Sequence, residues 1–106
     1  MTQITNNEVE MASYRHFHEV SPELQRAADK FPGWPDDMLH ALAIIGEEYG
    51  ELVKDVLQHH YEPHKSKTCK DIRAEAVQTI AMLHRFLNSL DRGAYLKPEC
   101  TQHRIG

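Results

Sequence analysis

The chain has 106 residues, 41% hydrophobic and 26% charged, a balance that fits one globular domain with a modest core and excludes a wholly disordered chain. Its net charge of −4 and the lack of a basic cluster interleaved with aromatics argue against a nucleic-acid polymer as partner. No apolar run approaches the roughly 18 residues needed to span a membrane, and "MTQITNNEVEM" lacks the basic-then-apolar pattern of a secretory signal, so a cytoplasmic protein is expected.

The first helical signal is Asn7, placed to cap a stretch running to about Val20, with Met11, Tyr14 and Phe17 or His18 on one side. Ser21-Pro22-Glu23 is a second start signal, a serine cap followed by proline at the first helical position. That stretch runs to about Lys30, and the two are either one bent helix or two helices. "FPGWPDD", residues 31–37, reads as a connection, because two prolines and a glycine interrupt regular structure.

Asp36 or Asp37 then caps a long helix to about Tyr61. Leu42, Ile45, Tyr49, Leu52 and Val56 recur at threes and fours, a helix-packing seam. "EPHKSK" ends that helix. Thr68, with Asp71 three residues on, caps another long helix whose seam is Ile72, Ala76, Ile80, Leu83, Leu87 and Leu90. Gly93 is its stop signal, and the tail from about residue 93 reads as irregular. No segment alternates convincingly as a strand. The expected fold is all-α: an antiparallel pair of long helices with N-terminal helical material, in a single domain spanning 1–106. The last helix is apolar on more than one side, through Val77, Ala81, Met82 and Phe86 as well as its seam. So few helices cannot cover it, so a homo-dimer or tetramer completing a four-helix-type bundle is expected.

Eight histidines invite a metal reading, but there is no HExxH, and Pro63 separates His60 from His64. His59, His60 and His64 fall in or beside a polar connection and read as solvated. Cys69 and Cys100 have no CxxC spacing and read as free thiols of a reducing compartment.

The acids are more informative. In "AIIGEEYGELVKDV", Glu47, Glu48, Glu51 and Asp55 sit among the apolar residues of the second long segment. At about 100° per residue, Glu48 and Glu51 lie roughly 60° apart on one face. Glu47 and Asp55 are each four residues from Glu51. Like charges so spaced repel, and Lys54 is one cation against four acids. On the next helix Glu75 also borders the seam, with Gln78 three residues on. An acid-rich helix face is usually solvated. Antiparallel packing, however, would set Glu48 and Glu51 opposite Glu75 and Gln78, three carboxylates and an amide oxygen around one point. Hard divalent cations prefer such oxygen ligands.

"EEYGEL" (47–52) followed by "RAEAVQTIAML" (73–83) resembles the MazG-like, all-α nucleoside triphosphate pyrophosphohydrolases over roughly residues 31–92. Their signature is ExxE on one helix and ExxD on the next, separated by a variable stretch. Here Glu48 and Glu51 supply the first half, and Glu75 with Gln78 the second after 23 intervening residues. The resemblance implies cleavage of a nucleotide between its α and β phosphates, giving a monophosphate and pyrophosphate. It implies Mg2+ or Mn2+ held by Glu48, Glu51, Glu75 and Gln78, with Glu47 as the base for water or an outer-shell partner. Gln78 departs from the pattern, which has aspartate there, and costs the site one negative charge. Trp34, Lys54 and Arg73 are the candidates for substrate contact; Trp34 can stack on a base or plug the core. His40, Lys70 and Asn88 have lesser claims. The competing reading is a non-catalytic helical oligomer keeping a residual cation or nucleotide site, and a third is a bundle whose acids are merely solvated.

Overall fold

A computed structural model of the protein describes residues 3–95, and these are all-helical. Helix α1 spans Asn6–Lys30, α2 Met38–Tyr61 and α3 Cys69–Asp91, with a short 3-10 turn at Pro63–Lys65 before α3. Among the described residues there is no strand, and no helix is long and apolar enough to cross a membrane.

The caps explain most of the boundaries. Asp37 accepts the Leu39 N–H at the start of α2. Thr68 and Asp71 form a reciprocal capping box at the start of α3. Gly93, at φ 71°, ends α3 in the left-handed region that glycine enters without a Cβ penalty. There Ala94 N–H donates to Ser89 O and Gly93 N–H to Leu90 O, closing the helix with paired carbonyls. The rest of the tail expected to be irregular lies outside the described residues, as does Cys100. Cys69 is an exposed free thiol.

For α1 one expectation changes and one open alternative is decided. Its cap is Thr5, not Asn7: Thr5 Oγ accepts the Glu8 N–H while the Glu8 carboxylate accepts the Thr5 N–H. The helix also runs unbroken through Pro22. Proline removes one N–H there and should weaken the turn. The helix on either side of it is held by tertiary contact, since Val20 and Ala27 are buried and α1 packs on α3. Before Glu19, every helical residue except Ala12 is exposed.

The seam of α2 is rotated from the expected one. Ile45 is buried and Leu52 half-buried, but Leu42, Tyr49 and Val56 are exposed. The covered stripe is Ala41, Ile45, Glu48, Leu52 and Asp55, so the acids lie in the covered seam. On α3 the shift is similar: Ile80, Leu83 and Leu87 are exposed, while Glu75, Gln78 and Met82 are half-buried and Thr79 is buried. Both helices carry apolar residues around more than half their circumference, and a three-helix chain can cover only one side of each. The resulting core is small, comprising Val20, Ala27, Ala41, Ile45, Ala81 and Tyr95.

Candidate functional site

α2 packs on α3 along opposing directions. Asp55, near the end of α2, meets Lys67, just before α3, at 3.4 Å. Toward the other end, His40 and Ile44 of α2 share a pocket with Met82 and Arg85 of α3. Between these contacts lie the acids.

Asp55 is buried and Glu48 half-buried, whereas Glu47 and Glu51 are exposed. Glu75 faces them from α3. Burial pushes its carboxyl above the ordinary value, and the negative charges of Asp55, Glu48 and Glu51 push it further, against a smaller opposite effect from Lys67. Its Oε2 is buried with no hydrogen-bond partner among the described residues. The Thr79 hydroxyl is not available to it, since it donates to the Glu75 backbone carbonyl at 2.9 Å. A buried oxygen without a donor is unfavourable, and more so among like charges.

The structure therefore brings Glu48, Glu51 and also Asp55 within electrostatic reach of Glu75. It does not close them into a ligand shell: among the described residues no three Asp, Glu, His or Cys side chains are grouped tightly enough to hold one ion. The donor chemistry suits a hard divalent cation all the same. Such an ion would give Glu75 Oε2 the partner it lacks and would relieve the mutual repulsion.

Beside the acids opens a pocket of about 750 Å³. Glu47, Glu48 and Gln78 line one part of it and Trp34, His40 and Arg85 another. Trp34 is half-buried. Its Nε1–H donates to the Tyr95 hydroxyl at 3.0 Å, and the Arg85 guanidinium lies 4.8 Å from its ring centre. Arg85 Nη2 also donates to Phe31 O at 2.8 Å and Gly33 O at 3.3 Å, tying the 31–37 connection to α3. Trp34 is thus anchored at its edge and still lines the pocket.

The other candidates for substrate contact lie elsewhere. Lys54 is exposed on α2 and is not part of the pocket wall. Arg73 is exposed and paired with Glu19 of α1, also outside the pocket. Lys70 and Asn88 are exposed outside it as well. Sequence reasoning passed over the cations that do line it, Arg26, Lys30 and Arg85. A signal for Arg85 existed: Glu75, Gln78, Met82 and Arg85 recur at threes and fours, one continuous face of α3. It also gave Asp55 no role, although Asp55 is the most buried acid of the group. Compared with models of known protein families, with characterised proteins and with solved structures, the chain finds no match.

Proposed function

We propose that the protein is a nucleotide pyrophosphohydrolase that hydrolyses a nucleoside or deoxynucleoside triphosphate to a monophosphate and pyrophosphate, working with Mg2+ or Mn2+ as a cytoplasmic homo-oligomer. The observation that carries this reading is the unpartnered Glu75 Oε2 among Glu48, Glu51 and Asp55, beside a pocket walled by Trp34 and cations. Glu48, Glu51, Glu75 and the Gln78 amide oxygen would hold the ion. When bound, it supplies positive charge against the phosphates and the departing pyrophosphate.

The chain's own residues do the rest. Trp34, fixed by Tyr95 and Arg85, offers a rigid aromatic wall to the base. Glu47 lines the pocket on the exposed edge of the acids, where a water can reach it. It accepts the proton of the attacking water as the water oxygen bonds to the α-phosphorus. The bond from the α-phosphorus to the α–β bridging oxygen breaks, and pyrophosphate leaves with the electron pair. Pairing α2 and α3 with the same helices of a second copy would complete a four-helix-type bundle over the exposed apolar stripes.

A second reading has its own support. Gln78 leaves the acidic group one charge short of the resembled pattern, and no closed three-residue ligand group is formed among the described residues. Both favour a non-catalytic oligomer with a residual cation or nucleotide site. Magnesium titration of pyrophosphate release separates the two. The enzyme reading expects turnover by the wild type, none by Glu51→Gln, and saturation of Gln78→Asp at lower magnesium, because the restored carboxylate attracts the ion. Turnover by Gln78→Asp alone would favour the non-catalytic reading.

A further inference from the structure

One wall of the pocket comes from α1, the helix outside the resemblance to a known family. Arg26 and Lys30, one turn apart, line it together with Glu23 and Ala27 of the same helix face. With Arg85 of α3 they give the pocket three cations, set against Glu23, which pairs with Arg26, and Glu47 and Glu48 on α2.

Among the described residues, each cation is held by a contact that leaves N–H donors free. Arg26 gives Nε–H and one Nη2–H to the Glu23 carboxylate, and its Nη1 group remains available. Arg85 spends Nη2 on two backbone carbonyls and keeps Nε–H and Nη1. The Lys30 ammonium sits 5.3 Å from the Phe31 ring centre, a contact that uses none of its hydrogen bonds. Such tethering lowers the entropy lost when a ligand is bound. Both sets of charges line the same pocket, so one ligand in it meets both.

Building on the pyrophosphohydrolase reading, we propose that Arg26 and Lys30 of α1, with Arg85 of α3, form the anion-holding wall of the pocket and grip the phosphate tail of a nucleoside triphosphate. The tail then lies between this wall and the acids of α2, with the base against Trp34. A monocarboxylate has too little charge to engage three cations. An anion without a divalent ion would be repelled by Glu47 and Glu48. A nucleotide polyphosphate carried with its divalent ion matches both walls and the aromatic side.

Trp34 is the sole tryptophan, so its fluorescence reports on this pocket directly. The full chain is titrated, in Mg2+, with inorganic tripolyphosphate, with deoxynucleosides, and with deoxynucleoside triphosphate analogues carrying a methylene group between the α and β phosphorus atoms. Arg26→Ala and Lys30→Ala should each weaken the analogue and tripolyphosphate by roughly tenfold, as expected for loss of a charge-assisted hydrogen bond. They should leave nucleoside binding and the melting temperature unchanged. Arg26→Lys should recover part of the loss, and Arg15→Ala, an exposed α1 cation outside the pocket, should have no effect. Binding of the analogue by the wild type without hydrolysis of any natural nucleotide would sink the enzyme reading and leave this proposal standing. Hydrolysis by the wild type with Arg26→Ala and Lys30→Ala binding within about twofold of it would overturn this proposal alone. If the wild type binds neither tripolyphosphate nor analogue, the proposal is overturned.

Discussion

Glu75 has an unpartnered buried oxygen and three acidic neighbours, so the ion-free protein bears a cost at this one side chain. The sign of its pH dependence follows. Its folded-state pKa is raised above the ordinary 4.5, so the unfolded chain gives up the proton first as pH rises. The stability contributed by neutral Glu75 is full below about 4.5 and is lost as pH climbs through the raised folded value. Glu75→Gln should therefore raise the melting temperature of the ion-free protein at neutral pH and leave it unchanged at pH about 4. Magnesium should stabilise the wild type and not the variant. Thermal melts with and without EDTA check both. Lys67 is the counterpart. Its own side chain is 36% exposed, and Asp55, its partner, only 6%. The pair's attraction is thus weakened by solvent, and the main effect of Lys67→Met is to strand Asp55. The expected loss in urea unfolding is about 1–2 kcal/mol.

At the scale of the helices, what was legible was local. Asp37, the Thr68–Asp71 box and Gly93 work through neighbours in sequence, and all three act where their residue types indicate. Thr5–Glu8 was equally readable as S/T-x-x-E and was overshadowed by Asn7 two residues later. Thr68→Ala should cost about 1 kcal/mol and Thr68→Ser much less, since the serine hydroxyl can still accept the Asp71 N–H. Chemical denaturation measures both. The rotated seams were not legible. Periodicity marks which residues can share a face, but α2 and α3 each have two usable faces, and the choice rests on contacts distant in sequence. The acidic face was visible as ExxE, while the inward turn of Asp55 and the pocket cations of α1 depended on how three helices meet. Arg73 illustrates the limit: a candidate for substrate contact in the sequence, it pairs instead with Glu19 across the α1–α3 contact.

Over the whole molecule, the exposed apolar surface is the leading feature. Leu42, Tyr49, Val53 and Val56 make one stripe on α2, and Ile80, Leu83 and Leu87 another on α3. Tyr49 is 59% exposed and Leu87 55%. Met11, Tyr14 and Phe17 add a third exposed group on the N-terminal half of α1. Surface of this extent is costly to leave in water, at about 25 cal/mol per Å². A second copy, as proposed, would bury it with the same residues on both sides. Leu83→Glu should shift the protein to monomer in sedimentation, and a wild type that stays monomeric at micromolar concentration would contradict the expected assembly.

In the proposed reaction, water attacks the α-phosphorus of a nucleotide at the Glu48–Glu51–Glu75 site. Its most direct test is hydrolysis of the common ribo- and deoxynucleoside triphosphates in 18O-labelled water with Mg2+, followed by phosphorus NMR. A labelled monophosphate and unlabelled pyrophosphate are expected from at least one nucleotide, with both lost in EDTA and in Glu51→Gln. Label in pyrophosphate or orthophosphate, or no pyrophosphate from any nucleotide, would contradict it.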